Sequence, residues 1–193
     1  MQQNLRSRAA ISAAIRRSME DQDFVEVETP MLIASTPEGA RDFVVPSRLS
    51  PGDFYALPQS PQLFKQLCMV GGIDRYYQIA RCMRDEDLRA DRQFEFTQLD
   101  MEMSFADGEQ VRSVVSEAVS NATEIITGQR PESIPEMPWI EAMNRYGSDK
   151  PDVRFDLELV ELTEVFSGTD FNAFKAPTIK GIKVEGGAEM GRN

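Results

Sequence analysis

Two segments with strictly alternating side chains limit most strongly what this chain can fold into. Residues 76–84 and 95–105 place polar and apolar side chains on opposite faces, the period of two that is typical of β-strands. In the second segment the mostly apolar face carries Thr97, Leu99, Met101, Met103 and Phe105, whereas the other face carries Phe96, Gln98, Asp100, Glu102 and Ser104. We therefore predict a hairpin whose first face covers a core and whose acidic face meets water or lines a cleft.

The connection between these two strands is long and highly charged. It spans roughly eleven residues, more than an ordinary hairpin needs, and it contains Arg84, Asp85, Glu86, Asp87, Arg89, Asp91 and Arg92. Such a run is usually a solvated loop. A nucleotide site is the alternative, with Arg84 clamping a phosphate, Phe96 stacking on a base and Glu86 accepting from an exocyclic amine. On that interpretation Asp100 and Glu102 would hold a ligand ammonium or a hydrated Mg²⁺.

The first part of the chain predicts a helix followed by a strand. Ile11, Ile15 and Met19 recur every fourth residue within 5–21, which indicates an amphipathic helix. The strand that follows, from Phe24, stops at Pro30. The apolar side of this helix and strand would form a dimer contact, or the helix would simply pack into the core of its own domain.

A second helix is predicted within residues 57–72. Ser60 suits its N-cap, Pro61 its first position, and Gly71 and Gly72 its end. Its apolar stripe would consist of Leu63, Phe64, Leu67 and Cys68. Gln62 and Lys65 share a neighbouring face near the positive end of the helix, where Lys65 would pair with a ligand carboxylate or remain solvated. The loop before this helix, residues 35–43, carries Glu38 at its tip and would be either a surface turn or a lid.

The remaining elements are another helix and a less regular tail. Residues 108–127 predict a long helix that begins at the cap Asp107, ends at Gly128 and buries Val111, Val114, Val115, Ala118, Val119, Ala122 and Ile126. A proline-marked connection follows, then a short helix in which Trp139, Met143 and Tyr146 pack. From about residue 166 the chain becomes β-rich and glycine-rich.

Composition excludes several kinds of chemistry. The chain has no histidine, which excludes Ser-His-Asp and Cys-His catalysis and the commonest zinc sites. Cys68 and Cys82 have no metal-ligand spacing and are predicted to be small buried side chains in a reducing compartment. The net charge of −11 argues against nucleic-acid binding by overall charge but permits a local basic patch. No apolar run of membrane-spanning length and no secretory signal are present, so we predict a cytoplasmic protein without a membrane partner.

Several motifs together resemble those of one enzyme family. The segment Met83-Arg84-Asp85-Glu86 and the segment Arg92-Gln93-Phe94-Glu95-Phe96 resemble motif 2 of the class II aminoacyl-tRNA synthetases. The helix, strand and proline ending at Pro30 resemble their motif 1. Within this class, "STPEGARDF", "LPQSPQLFKQL" and "EAMNRYGSDKPDVRF" are most similar to the aspartyl-tRNA synthetases of the bacterial type.

The resemblance implies a role for each matching residue. Arg84 would be the catalytic residue that neutralises the α-phosphate of ATP. Aspartate would be bound by Glu38, Ser60, Gln62, Lys65, Gln98 and Asp100, and ATP by Arg84, Asp85, Glu86, Gln93 and Phe96. Arg89 would contact tRNA. ATP would be a substrate accompanied by Mg²⁺, with no metal ligand in the chain itself, and residues 5–30 would form a homodimer.

The implied reaction is the activation of L-aspartate by ATP, followed by its transfer to the 3′ end of tRNA. The implied fold is α+β, an incomplete antiparallel sheet flanked by helices. Residues 1–165 would form the catalytic core with motifs 1 and 2, and residues 166–193 the start of an inserted α/β domain.

Other expected parts are missing from the sequence. Motif 3, a histidine-bearing ATP loop, a second arginine for aspartate and an N-terminal anticodon-binding barrel are absent, so we expect the isolated chain to be inactive. Two alternatives remain: a truncated, non-catalytic paralogue that binds aspartate, an adenylate or tRNA, and a related enzyme for asparagine or lysine. The strings "QSPQLFKQ" and "DLRADRQ" disfavour the last. Whether the asparagine tRNA is also charged stays open.

Overall fold

The computed structural model describes residues 1–36, 38–89 and 92–191. The chain divides into two compact units, Met1–Ser133 and Ile134–Asn193. In chain order the first unit contains α1 (Gln2–Glu20), β1 (Val25–Glu26), β2 (Val44–Pro46), β3 (Phe54–Ala56), α2 (Gln62–Val70), β4 (Arg75–Met83), β5 (Glu95–Met103) and α3 (Gly108–Thr127). The second unit contains α4 (Trp139–Tyr146), β6 (Leu159–Glu161) and β7 (Lys180–Ile182). The chain is therefore α+β.

The main sheet has the strand order β1-β4-β5. Strands β4 and β5 pair antiparallel along their whole length, from Arg75 opposite Met103 to Met83 opposite Glu95, which confirms the predicted hairpin. Strand β1 pairs with β4 in parallel, so the sheet is mixed, whereas the sequence analysis expected an antiparallel sheet. The physical reason is the connection, because β2, β3 and α2 lie between β1 and β4 and provide a crossover long enough for parallel pairing.

The apolar face of the hairpin covers the main core. Tyr77 of β4 is fully buried with Met19 at the end of α1, Phe24 just before β1, and Val114 and Ala118 of α3. Leu99, Met101 and Met103 of β5 pack against this cluster from the same side of the sheet. Removing this apolar surface from water is the main stabilising contribution of the first unit.

Helix α3 has the predicted ends but a narrower buried face than predicted. Its cap Asp107 accepts a hydrogen bond from the backbone N–H of Gln110 at 2.8 Å, the Gln110 side chain accepts one from the backbone N–H of Asp107 at 3.0 Å, and Gly128 ends the helix in the left-handed conformation. Of its predicted apolar side chains, only those of Val114 and Ala118 are buried in the core. The flanking side chains Val111, Val115, Val119 and Ile126 remain exposed.

Three of these exposed side chains, Val115, Val119 and Ile126, line a groove of about 500 Å³ together with residues of α1 and β5. Val114 and Ala118 are four positions apart and therefore share the face of α3 that meets the core. Val115 and Val119 each follow one of them by one position, so they lie to the side of that face. The predicted burial of this wider set is therefore wrong.

The structure corrects three further details of the sequence analysis. Strand β5 ends at Met103, and Phe105, predicted on the core face, adopts φ 55° and is 99% exposed. The chain turns there because the backbone N–H of Ser104 donates to the carbonyl of Asp74. In the second unit, Trp139 was predicted to pack but is 64% exposed at the first position of α4. Helix α2 begins after Pro61 as its N-cap, because the Ser60 hydroxyl donates to Glu38 instead of capping the helix.

The second unit is held together by local contacts. Strands β6 and β7 pair antiparallel, and Arg145 of α4 forms ion pairs with Glu141 and Glu158. These side chains are largely exposed, so such pairs contribute little stability. The boundary between a catalytic core, residues 1–165, and an inserted domain that begins at residue 166 remains a prediction. Within the described parts of the chain, no helix is long and apolar enough to cross a membrane.

Candidate active site

The predicted site residues of the hairpin lie on one face of the sheet. Phe96, Gln98, Asp100 and Glu102 alternate along β5 with the residues that cover the core. Asp100 lies opposite Gln78 of β4, and Phe96 lies opposite Cys82. Helix α2 packs through Lys65 on the face of the sheet that carries these predicted site residues. The sheet therefore has the core on one face and the candidate site on the other.

Lys65 and two carboxylates form the centre of the site. The Lys65 ammonium nitrogen lies 3.3 Å from Asp100 Oδ1 and 3.2 Å from Glu102 Oε2. The Lys65 side chain is only 12% exposed and that of Asp100 only 6%, so this ion pair is shielded from solvent. The sequence suggested Lys65 as a partner for a ligand, but its pairing with Asp100 and Glu102 depends on how α2 packs on β5.

The Asp100 carboxylate is only partly satisfied. Its Oδ2 accepts from the Gln98 side-chain amide at 2.9 Å and from Lys65 at 3.4 Å. Its Oδ1 is buried and lies 3.3 Å from the Lys65 nitrogen, but it accepts no hydrogen bond of normal geometry from the described residues. A buried oxygen held only by this ion pair can accept a further hydrogen bond from a ligand. Burial raises the pKa of Asp100 above its ordinary value, an effect that the Lys65 ammonium opposes.

The loop that carries Glu38 is folded against the start of α2. The Glu38 carboxylate accepts hydrogen bonds from the hydroxyls of Ser60 at 2.6 Å and Thr36 at 3.1 Å. These contacts lie next to a small cavity of about 130 Å³ whose lining includes Ser60, Leu63 and Phe64. The structure thus brings together Glu38 and Ser60, two residues to which the resemblance assigns aspartate binding. Gln62, at the first position of α2, is half-buried.

Arg84 and Phe96 form a second part of the site. The Arg84 guanidinium carbon lies 5.0 Å from the centre of the Phe96 ring, a cation–π contact. The Arg84 Nε donates to the backbone carbonyl of Gln59 at 3.4 Å. Both side chains are half-buried. A flat ring beside a fixed guanidinium is the combination needed to bind an aromatic base near a phosphate.

The remaining predicted residues lie along the connection between β4 and β5. The Glu86 carboxylate pairs with Arg92 at 3.2 Å. Asp85 pairs with Arg41 through the side chains at 3.4 Å and also donates its backbone N–H to the Arg41 carbonyl. Gln93 and Arg89 are exposed. Asp91, part of the charged run in the sequence, lies outside the described residues.

The sequence analysis missed Gln59. This side chain is 3% exposed, and its amide contacts the backbone of Ala40 and the carboxylate of Asp42. The available signal was its position, since a polar residue between Pro58 and Pro61 sits in a stiff segment whose side chains are held in fixed directions. Nothing in the alternation of the strands points to it.

The described residues do not fit a resident metal ion. No group of three or more carboxylate or cysteine side chains is placed to hold a metal anywhere in the parts of the chain that the structure describes. The two carboxylates suggested for Mg²⁺, Asp100 and Glu102, are already paired with Lys65. Both cysteines are free thiols, and burial raises the pKa of Cys82 to about 11, so it remains a protonated thiol.

The sequence matches a known family over most of its length. The sequence model of the class II tRNA synthetases (D, K and N) matches residues 1–169. The chain belongs to this family. Its α+β fold, with helices beside a mixed sheet, is consistent with that assignment.

The chain is similar to several proteins of that family named aspartate–tRNA(Asp/Asn) ligase. It is 57% identical over 188 residues to the proteins of Mycobacterium avium and of Mycobacterium tuberculosis strain H37Rv. It is 56% identical over the same length to that of Mycolicibacterium smegmatis. In each case the match covers 97% of this chain but only 31–32% of the relative. The chain therefore spans about a third of the length of the curated relatives it matches.

Proposed function

We propose that the complete gene product carrying this chain is an aspartate–tRNA ligase. The observation that carries the proposal is the cluster of Lys65, Asp100 and Glu102, in which the buried Asp100 Oδ1 lies 3.3 Å from the Lys65 nitrogen without a hydrogen bond of normal geometry. A site with one cation and an acceptor that can take a further hydrogen bond complements a small ligand that has both a carboxylate and an ammonium group. The names of the relatives support aspartate as that ligand.

In this proposal Lys65 binds the side-chain carboxylate of aspartate. The Lys65 ammonium has three N–H donors. Its ion pairs with Asp100 and Glu102 use only part of this capacity in the structure. Asp100, supported by the Gln98 amide, accepts from the α-ammonium of aspartate. Glu38, held by Ser60, and Gln62 at the start of α2 complete the binding of the amino acid.

ATP binds beside the amino acid in the same proposal. Phe96 stacks on the adenine, Glu86 accepts from its exocyclic amine, and Asp85 and Gln93 support the nucleotide. Arg84 lies against Phe96 and can therefore reach the α-phosphate of a nucleotide stacked there. Mg²⁺ would accompany ATP as part of the substrate, where it would offset phosphate charge.

The chemistry needs positioning and charge stabilisation but no side-chain nucleophile. The α-carboxylate of aspartate attacks the α-phosphorus of ATP, the bond to the β-phosphate breaks, and pyrophosphate leaves with the displaced electron pair. Arg84 stabilises the charge that develops on the α-phosphate oxygens. A hydroxyl of the terminal ribose of tRNA then attacks the aspartyl carbonyl and AMP leaves.

The partners follow from the same proposal. Arg89, exposed on the long connection, contacts the acceptor end of tRNA. Because the relatives are named for the tRNAs of both aspartate and asparagine, the asparagine tRNA is a second candidate substrate. We further propose a cytoplasmic homodimer that associates through residues 5–30, and an inserted domain that begins at residue 166.

Amino-acid-dependent exchange of pyrophosphate into ATP tests the proposal. The complete gene product should support exchange with aspartate but not with asparagine or lysine. Arg84→Ala should lower kcat by about 100- to 1000-fold, the loss typical of removing a group that stabilises developing charge. Arg81→Ala is the matched control, because Arg81 lies on β4, the strand that ends just before Arg84, and it is exposed and pairs with Glu95.

The outcomes of this assay separate the alternatives. Exchange with lysine or asparagine in place of aspartate would contradict the proposed substrate. Binding of aspartate without any exchange would favour the non-catalytic paralogue. An equal loss in the Arg84 and Arg81 variants would contradict the catalytic role of Arg84.

A further inference from the structure

One buried side chain ties the loop of Glu38 to the rest of the site. The Gln59 side-chain amide pairs with both polar groups of a single backbone residue: its Oε1 accepts from the Ala40 N–H at 3.1 Å and its Nε2 donates to the Ala40 carbonyl at 2.9 Å. The same Nε2 donates to the carboxylate of Asp42. Gln59 thus holds the segment 40–42, here called the arm, in the way a neighbouring strand would.

The arm leads directly to Glu38. Gly39 adopts φ 105°, a left-handed conformation that other residues rarely take, and so lets the chain turn between Glu38 and Ala40. Glu38 accepts from the hydroxyl of Ser60, the residue directly after Gln59. Two consecutive residues at the start of α2 therefore fix the Glu38 loop at two points.

The arm also contacts the nucleotide side of the site. Arg41 pairs with Asp85 through its side chain at 3.4 Å and accepts the Asp85 backbone N–H through its carbonyl at 3.0 Å. The backbone carbonyl of Gln59 accepts from Arg84. The contacts of Gln59 therefore reach both the loop that carries Glu38 and the arginine placed beside Phe96.

We propose that Gln59 is a positioning residue that fixes the arm against the start of α2, holds Glu38 over the amino-acid site and thereby sets the affinity for aspartate. This inference rests on the proposed ligase function. Gln59 contacts no substrate itself. Only a primary amide provides the acceptor for the Ala40 N–H together with donors for the Ala40 carbonyl and the Asp42 carboxylate.

The test uses Gln59→Met in the complete gene product. Methionine retains the length of the side chain but removes all three hydrogen bonds. We expect the KM for aspartate in pyrophosphate exchange to rise roughly tenfold, because the loss of these buried hydrogen bonds releases the arm and Glu38. We expect kcat to change less than about threefold, because Arg84 is retained. Gln66→Met is the matched control, since Gln66 is an exposed glutamine of α2, the helix that follows Gln59.

A second readout does not depend on activity. Arg41 lies in the arm with a side chain that is 75% exposed, and trypsin cleaves after arginine. If Gln59 holds the arm, limited proteolysis after Arg41 should be roughly tenfold faster in Gln59→Met than in Gln66→Met, in line with the fraction of time the arm is released.

The two readouts distinguish failure of this inference from failure of the proposed function. Cleavage after Arg41 that is no faster in Gln59→Met than in Gln66→Met would overturn the positioning role. Faster cleavage with an unchanged aspartate KM would also overturn it, as would a loss confined to kcat. If the unmodified protein shows no aspartate-dependent exchange, the proposed function fails, and the cleavage rates still decide whether Gln59 holds the arm.

Discussion

At the scale of single residues, the proposed amino-acid site contains a buried carboxylate whose hydrogen bonds are incomplete. Asp100 is almost fully buried, faces Lys65 from α2 and shares that lysine with Glu102. Breaking such a pair leaves a charge uncompensated in a poorly solvated site, which usually costs several kcal/mol. This arrangement is expensive for stability alone, which supports a role in binding.

The raised pKa of Asp100 predicts a specific pH dependence. A carboxyl whose folded pKa lies above its ordinary value of 3.8 keeps its proton over a pH range in which the unfolded chain has lost it. Raising the pH through that range therefore lowers the free energy of unfolding, because the folded protein then binds more protons than the unfolded chain. Aspartate binding should strengthen over the same range, because only ionised Asp100 accepts fully from an ammonium.

Calorimetric titration of aspartate at a series of pH values measures this effect. The groups that face Asp100 are Lys65 of α2, Glu102 of β5 and Tyr76 of β4. Asp100→Asn should bind aspartate weakly and lose the acid limb of the profile, whereas Asp87→Asn, a change at an exposed carboxylate, should retain it. An acid limb that persists unchanged in Asp100→Asn would assign the titration to another group.

At the scale of elements, periodicity predicted most of the fold. The alternation in β4 and β5 and the four-residue spacing in α1 and α3 describe how each element meets its own core, so they can be seen in one segment at a time. Contacts between elements were less accessible. The parallel pairing of β1, the exposed Phe105 and the narrow buried stripe of α3 depend on crossover connections, on a turn and on neighbouring helices.

The candidate site shows the same division. Lys65, Asp100, Arg84 and Phe96 were predicted as site residues, and the structure places Lys65 against Asp100 and Arg84 over Phe96. The bond of Lys65 to Glu102 and the bonds of Gln59 to the arm join segments far apart in the chain. No local pattern encodes such distances. Ser60 illustrates the limit, since its hydroxyl suits an N-cap in sequence but binds Glu38 in the structure.

The capping box of α3 provides a stability prediction at this scale. Asp107→Ala should lower the free energy of unfolding by about 1 kcal/mol, because the backbone N–H of Gln110 loses its acceptor at the helix start. Asp107→Asn retains a side-chain acceptor and should lower it much less. Urea denaturation of the complete gene product measures both changes. Equal destabilisation by alanine and asparagine would contradict the role of the cap.

At the scale of the whole molecule, the chain corresponds to only part of the proteins it resembles. It matches about a third of each relative, and the resemblance in sequence implies further ATP-binding and aspartate-binding residues that it does not contain. The inactivity of the isolated chain therefore stays a prediction. In the proposed function, Lys65 is the cation that distinguishes a side-chain carboxylate from an amide.

Amino-acid selectivity of the whole protein tests this central claim most directly. The measurement is kcat/KM for pyrophosphate exchange with aspartate and with asparagine, in the complete gene product and in Lys65→Met, with the exposed Lys150→Met as control. The account predicts that Lys65→Met lowers kcat/KM for aspartate by roughly 100-fold or more, as expected for loss of a buried charge-assisted contact, and removes the preference for aspartate. Unchanged selectivity in Lys65→Met would contradict the account.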